Sequence, residues 1–177
     1  MNEKIVSTKR LYSGRIVTLD LSEVELSDGQ HQMREIIRHP GATAVVALDD
    51  QNRVLLVRQF RSAAAQIMSE IPAGVLNIGE NPQEAAIREL QEETGYKPGK
   101  IEPLGGFYAA PGYTTEYIHL FVATQLVESP LPPDEDEFIE VQRVPLEDAV
   151  AMIEHREIED AKTIIALLMY ARRVHLP

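Results

Sequence analysis

Residues 74–96 read Gly74-Val-Leu-Asn-Ile-Gly-Glu80-Asn-Pro-Gln-Glu84-Ala-Ala-Ile-Arg88-Glu89-Leu90-Gln-Glu92-Glu93-Thr-Gly95-Tyr96. Its middle carries a helix signal. Asn81 suits an N-cap and Pro82 the first helical position, and Glu84 can bond back to the cap. Gly95 suits the residue just past the helix end, where a left-handed conformation is needed. At about 100° per residue, Glu89, Glu92 and Glu93 share an arc of roughly 100°. Ala86, Ile87 and Leu90 occupy the adjoining arc and are expected to face the core. One helix therefore packs on one side and presents three carboxylates beside that side.

Like charges three and four residues apart on a helix repel. Arg88 can relieve part of this through Glu84 and Glu92, each four residues away. The remainder calls for a counterion. Oxygen-only ligands point to Mg²⁺ or Mn²⁺. Such ions keep waters and bridge to substrate phosphates, so the cluster suits metal-assisted attack of water on a phosphoanhydride. The competing interpretation is a solvated acidic helix face.

Working outward, the first 40 residues read as extended. Val17, Leu19 and Leu21 alternate with polar residues, and Val24 and Leu26 continue in the opposite phase. That slip predicts a bulge near Ser22-Glu23. Ser27-Asp28-Gly29-Gln30 supplies a hairpin turn, and Gln32 to Arg38 the next strand. Thr43 to Leu48 and Val54 to Val57 are short apolar runs of the kind buried on both faces. Further strands are expected at Gln66 to Ile71, Ile101 to Ala109, Tyr117 to Leu126 and Phe138 to Val144. Leu146 to His155 and Asp160 to Arg173 read as helices. Strands, a helix, more strands and then two helices favour an α+β fold over a doubly wound parallel one. Residues 1–40 are expected to form an N-terminal antiparallel strand element, and residues 41–177 the main domain.

The chain has 177 residues with 17 Lys and Arg against 28 Asp and Glu, a net charge of −11. That argues against binding nucleic acid, which needs a basic face. With no cysteine there are no disulfides, thiolate metal sites or thiol nucleophiles. No apolar run is long enough for a membrane span, and the first residues lack a signal-peptide core, so a cytoplasmic protein is expected. The charge is unevenly placed. Residues 74–96 hold five acids and one base, and residues 128–140 hold six acids and no base, so two short stretches carry ten of the eleven net negative charges. The five histidines, His31, His39, His119, His155 and His175, fall in no metal-ligand spacing.

The spacing resolves the helix face. Residues 74–96 match Gly-x5-Glu-x7-Arg-Glu-U-x-Glu-Glu-x-Gly-U, with U a bulky apolar residue, at all nine specified positions. Seven fixed positions at roughly 6% usage each arise by chance on the order of once in ten million such chains. The chain thereby resembles the Nudix hydrolases. The resemblance implies an αβα sandwich around a mixed sheet, with a loop–helix–loop motif carrying the metal ligands. Carried over, Glu89 and Glu93 are the main ligands, assisted by Glu92 and the Ala73 carbonyl. Arg88 orients the glutamates, Gly74 and Gly95 allow backbone turns, and Glu80 holds the loop.

The flanks resemble the ADP-ribose pyrophosphatase branch: Glu70-Ile71-Pro72-Ala73-Gly74, Ala110-Pro111-Gly112-Tyr113-Thr114-Thr115-Glu116, Arg34-Glu35, Val57-Arg58-Gln59-Phe60-Arg61 and Asp160-Ala161-Lys162-Thr163. This implies Mg²⁺-dependent hydrolysis of ADP-ribose to AMP and ribose 5-phosphate. Arg61 would contact the diphosphate, Arg34 and Glu35 the adenosine end, and Glu116 would lie near the terminal ribose. In that branch early strands exchange between two subunits, which implies a homodimer and makes Tyr12 a candidate for stacking on adenine. Of the acidic run Asp134-Glu135-Asp136-Glu137, Glu135 and then Glu137 are the candidates for the base that accepts a proton from the attacking water. The alternatives are hydrolysis of another nucleoside diphosphate derivative, such as a nucleotide sugar or dinucleotide, or a non-catalytic ADP-ribose-binding regulator.

Overall fold

Alternation and the Asp28-Gly29 turn build the amino-terminal sheet. In the computed structural model, which describes residues 2–132 and 138–175, β1 (Lys4–Ser13), β2 (Thr18–Glu25) and β3 (His31–Arg38) run antiparallel in the order β1-β2-β3. Gly29 has φ 82°, and the Leu26 N–H donates to the Gln30 carbonyl at 2.8 Å to close the turn. The buried face of β2 is Asp20, Ser22 and Val24, a single unbroken alternation. The expected phase slip near Ser22-Glu23 is therefore absent. The irregularities fall instead in β1, between Ile5 and Ser7 and between Arg10 and Tyr12. Polar residues occupy this face because each finds a partner. Arg10 and Arg38 donate to Asp20 at 2.9 and 3.3 Å, and Thr8 and Ser22 share a hydroxyl hydrogen bond of 3.0 Å. Hydrogen bonding from Arg10 is the main reason the Asp20 carboxyl lies below its ordinary range. This sheet and Phe107–Tyr117 form the first of two compact units, which begins at the amino terminus and runs to Gly41.

The second unit comprises Ala42–Gly106 and the chain from Ile118 onward. β4 (Ala42–Ala47) is buried at every residue. It pairs in parallel with β9 (Tyr117–Glu128) and antiparallel with the three-residue β7 (Ala73–Val75), and with β8 (Tyr96–Tyr108) they form a mixed sheet ordered β7-β4-β9-β8. β8, which contains Pro98, lies at the edge of that order. β5 (Arg53–Arg61), β6 (Gln66–Glu70) and β10 (Glu140–Pro145) form an antiparallel sheet ordered β10-β5-β6. β10 pairs with β5 as far as Arg58, and pairing with β6 carries β5 beyond its apolar stretch to Arg61.

The helices among the described residues are α1 (Pro82–Thr94), α2 (Leu146–Glu154) and α3 (Ala161–Arg173), giving the expected α+β class. None is long and apolar enough to cross a membrane. The Asn81 side chain accepts from the Gln83 and Glu84 N–H groups, and Gly95 ends α1 at φ 78° with its N–H on the Gln91 carbonyl. Ala86 and Leu90 of α1 join Val45, Ala47, Leu55, Phe121 and Ala123 in one core cluster. Burial of a leucine such as Leu90 contributes roughly 1.5–3 kcal/mol, which seats the helix on β4. Ile87, expected in that core, is only half-buried, and Ala85 takes the inner position.

Candidate active site

The acidic arc of α1 is not a solvated face. Glu89 and Glu93 are only 9% and 6% exposed, on a helix whose other side is core. Arg88 makes this tolerable for Glu89. Its Nε and Nη2 donate to the two Glu80 oxygens at 3.0 and 3.1 Å, and its Nη1 donates to Glu89 at 2.7 Å and Glu92 at 2.8 Å. One guanidinium thus serves three carboxylates, and hydrogen bonding to Glu80 leads the effects that raise its pKa. The expected Arg88–Glu84 pair does not form, because Arg88 turns to Glu80, leaving Glu84 exposed. Glu80 also accepts from the Asn77 N–H at 2.9 Å, which ties down the loop before α1.

The segment before the loop meets these acids. Glu93 accepts from the Ala73 N–H at 2.9 Å. The Glu89 carboxyl lies so close over Gly74 that a Cβ there would overlap its carboxyl carbon and both oxygens. Gly74 sits in β7 and is not among the residues with positive φ. The expectation that Gly74 allows a turn is therefore corrected: glycine is needed here for space.

This donor set fits a hard divalent cation. Glu89 and Glu93 offer carboxylate oxygens beside the Ala73–Gly74 backbone, Glu92 adds a third carboxylate held by the same Arg88, and the motif has no histidine or cysteine. Among the described residues, no three His, Asp or Glu side chains converge into a preformed cage. The Arg88 guanidinium and the Ala73 N–H hold the acids in separate hydrogen bonds, and the rest of the shell of such an ion falls to water and substrate.

Arg61 lies in the same unit. Its Nε and Nη2 donate to the two oxygens of Glu70 at 2.7 Å each, a bidentate pair. The hydrogen bond to Glu70 dominates the rise in the Arg61 pKa, and the charges of Glu93 and Asp160 add to it. Glu70, at the end of β6, is 1% exposed. Burial works against its charge, but the Arg61 hydrogen bond and the Lys162 ammonium overcome this and hold its carboxyl below the ordinary range. Lys162 donates to Glu70 Oε2 and lies 3.1 Å from Asp160. Neither Glu70 nor Lys162 carries an assigned role in the reading of the sequence. A signal existed: Lys162 sits in the first turn of α3, where the helix dipole disfavours a cation, so it needs an acidic partner.

The remaining substrate candidates lie in the first unit. Arg34 and Glu35 are neighbours in β3 and so project to opposite faces. Arg34 pairs in register with Ser22 and donates to Glu3 at 2.7 and 3.2 Å. Glu35 pairs with Leu21, whose side of the sheet Leu19 and its β1 partner Tyr12 share. Tyr12 is 58% exposed, with its ring over Gly14. The first unit therefore groups Tyr12 with Glu35 and turns Arg34 the other way. Glu116 ends a loop that is bound to β3 by the Ile37 N–H on the Tyr113 carbonyl and the Thr115 N–H on the Ile37 carbonyl. Thr115 Oγ1 accepts from the His39 N–H. His39 Nδ1 accepts from the Gly41 N–H at 3.0 Å, so Nε2 carries the proton and faces Glu116 at 3.9 Å. Glu135 and Glu137 lie outside the described residues.

The NUDIX domain family matches residues 37–168. The chain belongs to the NUDIX family. This NUDIX chain is 43% identical over 169 residues to the ADP-ribose pyrophosphatase of Bacillus subtilis strain 168, covering 94% of this chain and 91% of that protein. It is 44% identical over 167 residues to a methanol dehydrogenase activator of Bacillus methanolicus, covering 93% of this chain and 90% of that protein. Its fold is similar to a crystal structure of an ADP compounds hydrolase, with a TM-score of 0.88, 24% identity, and coverage of 99% of this chain and 95% of that one.

Proposed function

We propose that this NUDIX hydrolase is an ADP-ribose diphosphatase, which splits ADP-ribose with water into AMP and ribose 5-phosphate. The observation that carries the reading is the meeting of the buried acids Glu89 and Glu93 with Ala73-Gly74, in one unit with an arginine whose charge couples to Glu93. The name of the Bacillus subtilis relative supports the substrate. Glu89, Glu92, Glu93 and the Ala73 carbonyl would hold Mg²⁺, or Mn²⁺ in its place. When bound, the cation supplies Lewis-acid stabilisation of charge on the diphosphate oxygens. Arg88 holds Glu89 and Glu92 in place. Among the described residues Arg61 Nη1 makes no hydrogen bond, so it can donate to a phosphate oxygen while Glu70 fixes the opposite edge.

In the reaction, the water oxygen bonds to one phosphorus, the bridging P–O bond breaks, and the water proton passes to Glu135 or Glu137. Tyr12 and Glu35 would hold the adenosine end, with Arg34 contributing from the other face of β3, and Glu116 the terminal ribose. Arrangement as a homodimer with exchanged N-terminal strands, in the cytoplasm, completes the proposal. The long exposed β1, with Ile5, Val6, Leu11 and Tyr12 open to solvent, supports the dimer.

A substrate panel tests the reading. With Mg²⁺, ADP-ribose should show the highest kcat/KM among diphosphates, nucleotide sugars and dinucleotides, with AMP and ribose 5-phosphate as products. A nucleotide sugar or dinucleotide preferred tenfold would replace it. The base is identified by comparing Glu135→Gln with Glu137→Gln. The correct substitution should lower kcat about 10²–10⁴-fold, the usual worth of general base catalysis, with ADP-ribose binding retained. Equal, small losses in both would remove the acidic run from the chemistry.

A further inference from the structure

Two cations share one buried carboxylate. Glu70, with its side chain 2% exposed, receives both edge N–H groups of Arg61 and the ammonium of Lys162, itself 13% exposed. Lys162 is in turn 3.1 Å from Asp160. Asp160 caps α3: its Oδ2 accepts from the Thr163 N–H at 3.0 Å and the Thr163 hydroxyl at 2.6 Å. The result is an alternating chain, Arg61–Glu70–Lys162–Asp160, running from β5 through β6 to the start of α3. The same helix start holds the intervening backbone, because Thr163 Oγ1 accepts from the Ile71 N–H at 2.9 Å.

The order of charges matters. An arginine paired with one carboxylate alone presents a ligand with a nearly neutral pair. Here Lys162 takes up the charge of Glu70, and Asp160 is itself compensated by the positive end of α3. Positive charge is therefore left at the Arg61 end, where the side chain is 40% exposed. A lysine in the first turn of a helix is disfavoured by the dipole, and it is retained here only against two carboxylates.

We propose that Lys162 is a positioning residue: by neutralising Glu70 it keeps Arg61 oriented and electrostatically available to the diphosphate of the substrate. This rests on the reading that Arg61 binds a diphosphate. Lys162→Met keeps the length of the side chain and removes its charge. It should raise KM for ADP-ribose about tenfold, with kcat within twofold and the Mg²⁺ requirement unchanged. Lys162→Arg should restore KM to within about twofold. Arg61→Gln combined with Lys162→Met should be no worse than Arg61→Gln alone, because Lys162 acts through Arg61. Calorimetric titration with inorganic pyrophosphate, a readout without turnover, should weaken in parallel. Should Lys162→Met fail to fold, Lys162→Gln, which can still donate to Glu70, carries the same expectations. A folded variant with unchanged KM and pyrophosphate affinity overturns the proposal, as does a loss fully additive with Arg61→Gln. If the wild-type protein prefers another diphosphate, only the substrate reading fails, and the same KM comparison is run on that compound.

Discussion

Glu93→Gln is expected to cut kcat/KM for ADP-ribose about 10³-fold, equivalent to ~4 kcal/mol of transition-state stabilisation, while the fold stays intact. The two halves of this expectation have separate causes. Glutamine is isosteric with glutamate, and its amide oxygen can still accept the Ala73 N–H hydrogen bond, so the strand–helix contact survives. The charge does not. Glu93 is buried on α1 with the Ala73 N–H on its carboxylate, and a neutral amide is a poor ligand for the hard cation proposed there. Steady-state kinetics with a Mg²⁺ titration, alongside a calorimetric melt, separates the two. A variant that melts like the wild type and turns over within twofold of it would remove Glu93 from the site.

Gly74→Ala is expected to be nearly as damaging, at about 10²–10³-fold in activity, although it adds a single methyl group and touches no charge. Gly74 lies in extended β7 with no positive φ, so alanine meets no backbone penalty. The new Cβ instead overlaps the Glu89 carboxyl, which must swing away and lose its 2.7 Å hydrogen bond from Arg88. Binding of Mn²⁺, followed by electron paramagnetic resonance, should weaken in step with activity. A double-mutant cycle isolates the cause. In a Glu89→Ala background the space is vacated, and Gly74→Ala should then add little further loss. If the two losses add in full, Gly74 acts on something other than Glu89.

Legibility in the sequence followed the range of the interaction. The ends of α1 could be read because Asn81 and Gly95 act on backbone groups within one turn of themselves. The acidic arc could be read for the same reason, since three glutamates on one helix are brought together by the helical period alone. Long-range choices were harder. Leu19 and Leu21 look like the inner face of β2, yet Asp20 and Ser22 take it, because Arg10, Arg38 and Thr8 arrive from the two neighbouring strands. Arg88 could pair with Glu84 on its own helix, but the loop brings Glu80 to it. β7 is three residues long and carries no periodicity of its own, although its pairing with β4 sets Gly74 beneath Glu89.

The family, the α+β class and the oxygen-rich chemistry were legible without coordinates, because residues 74–96 carry their meaning in local spacing on one helix. The burial of Glu89 and Glu93, the need for room rather than a turn at Gly74, and the hold of Glu70 on Arg61 with Lys162 behind it arise from packing between elements. Those facts depend on which strands lie side by side and in what register. Arg61, Glu70 and Lys162 come from three elements of the chain, and no period within any one of them records that they meet.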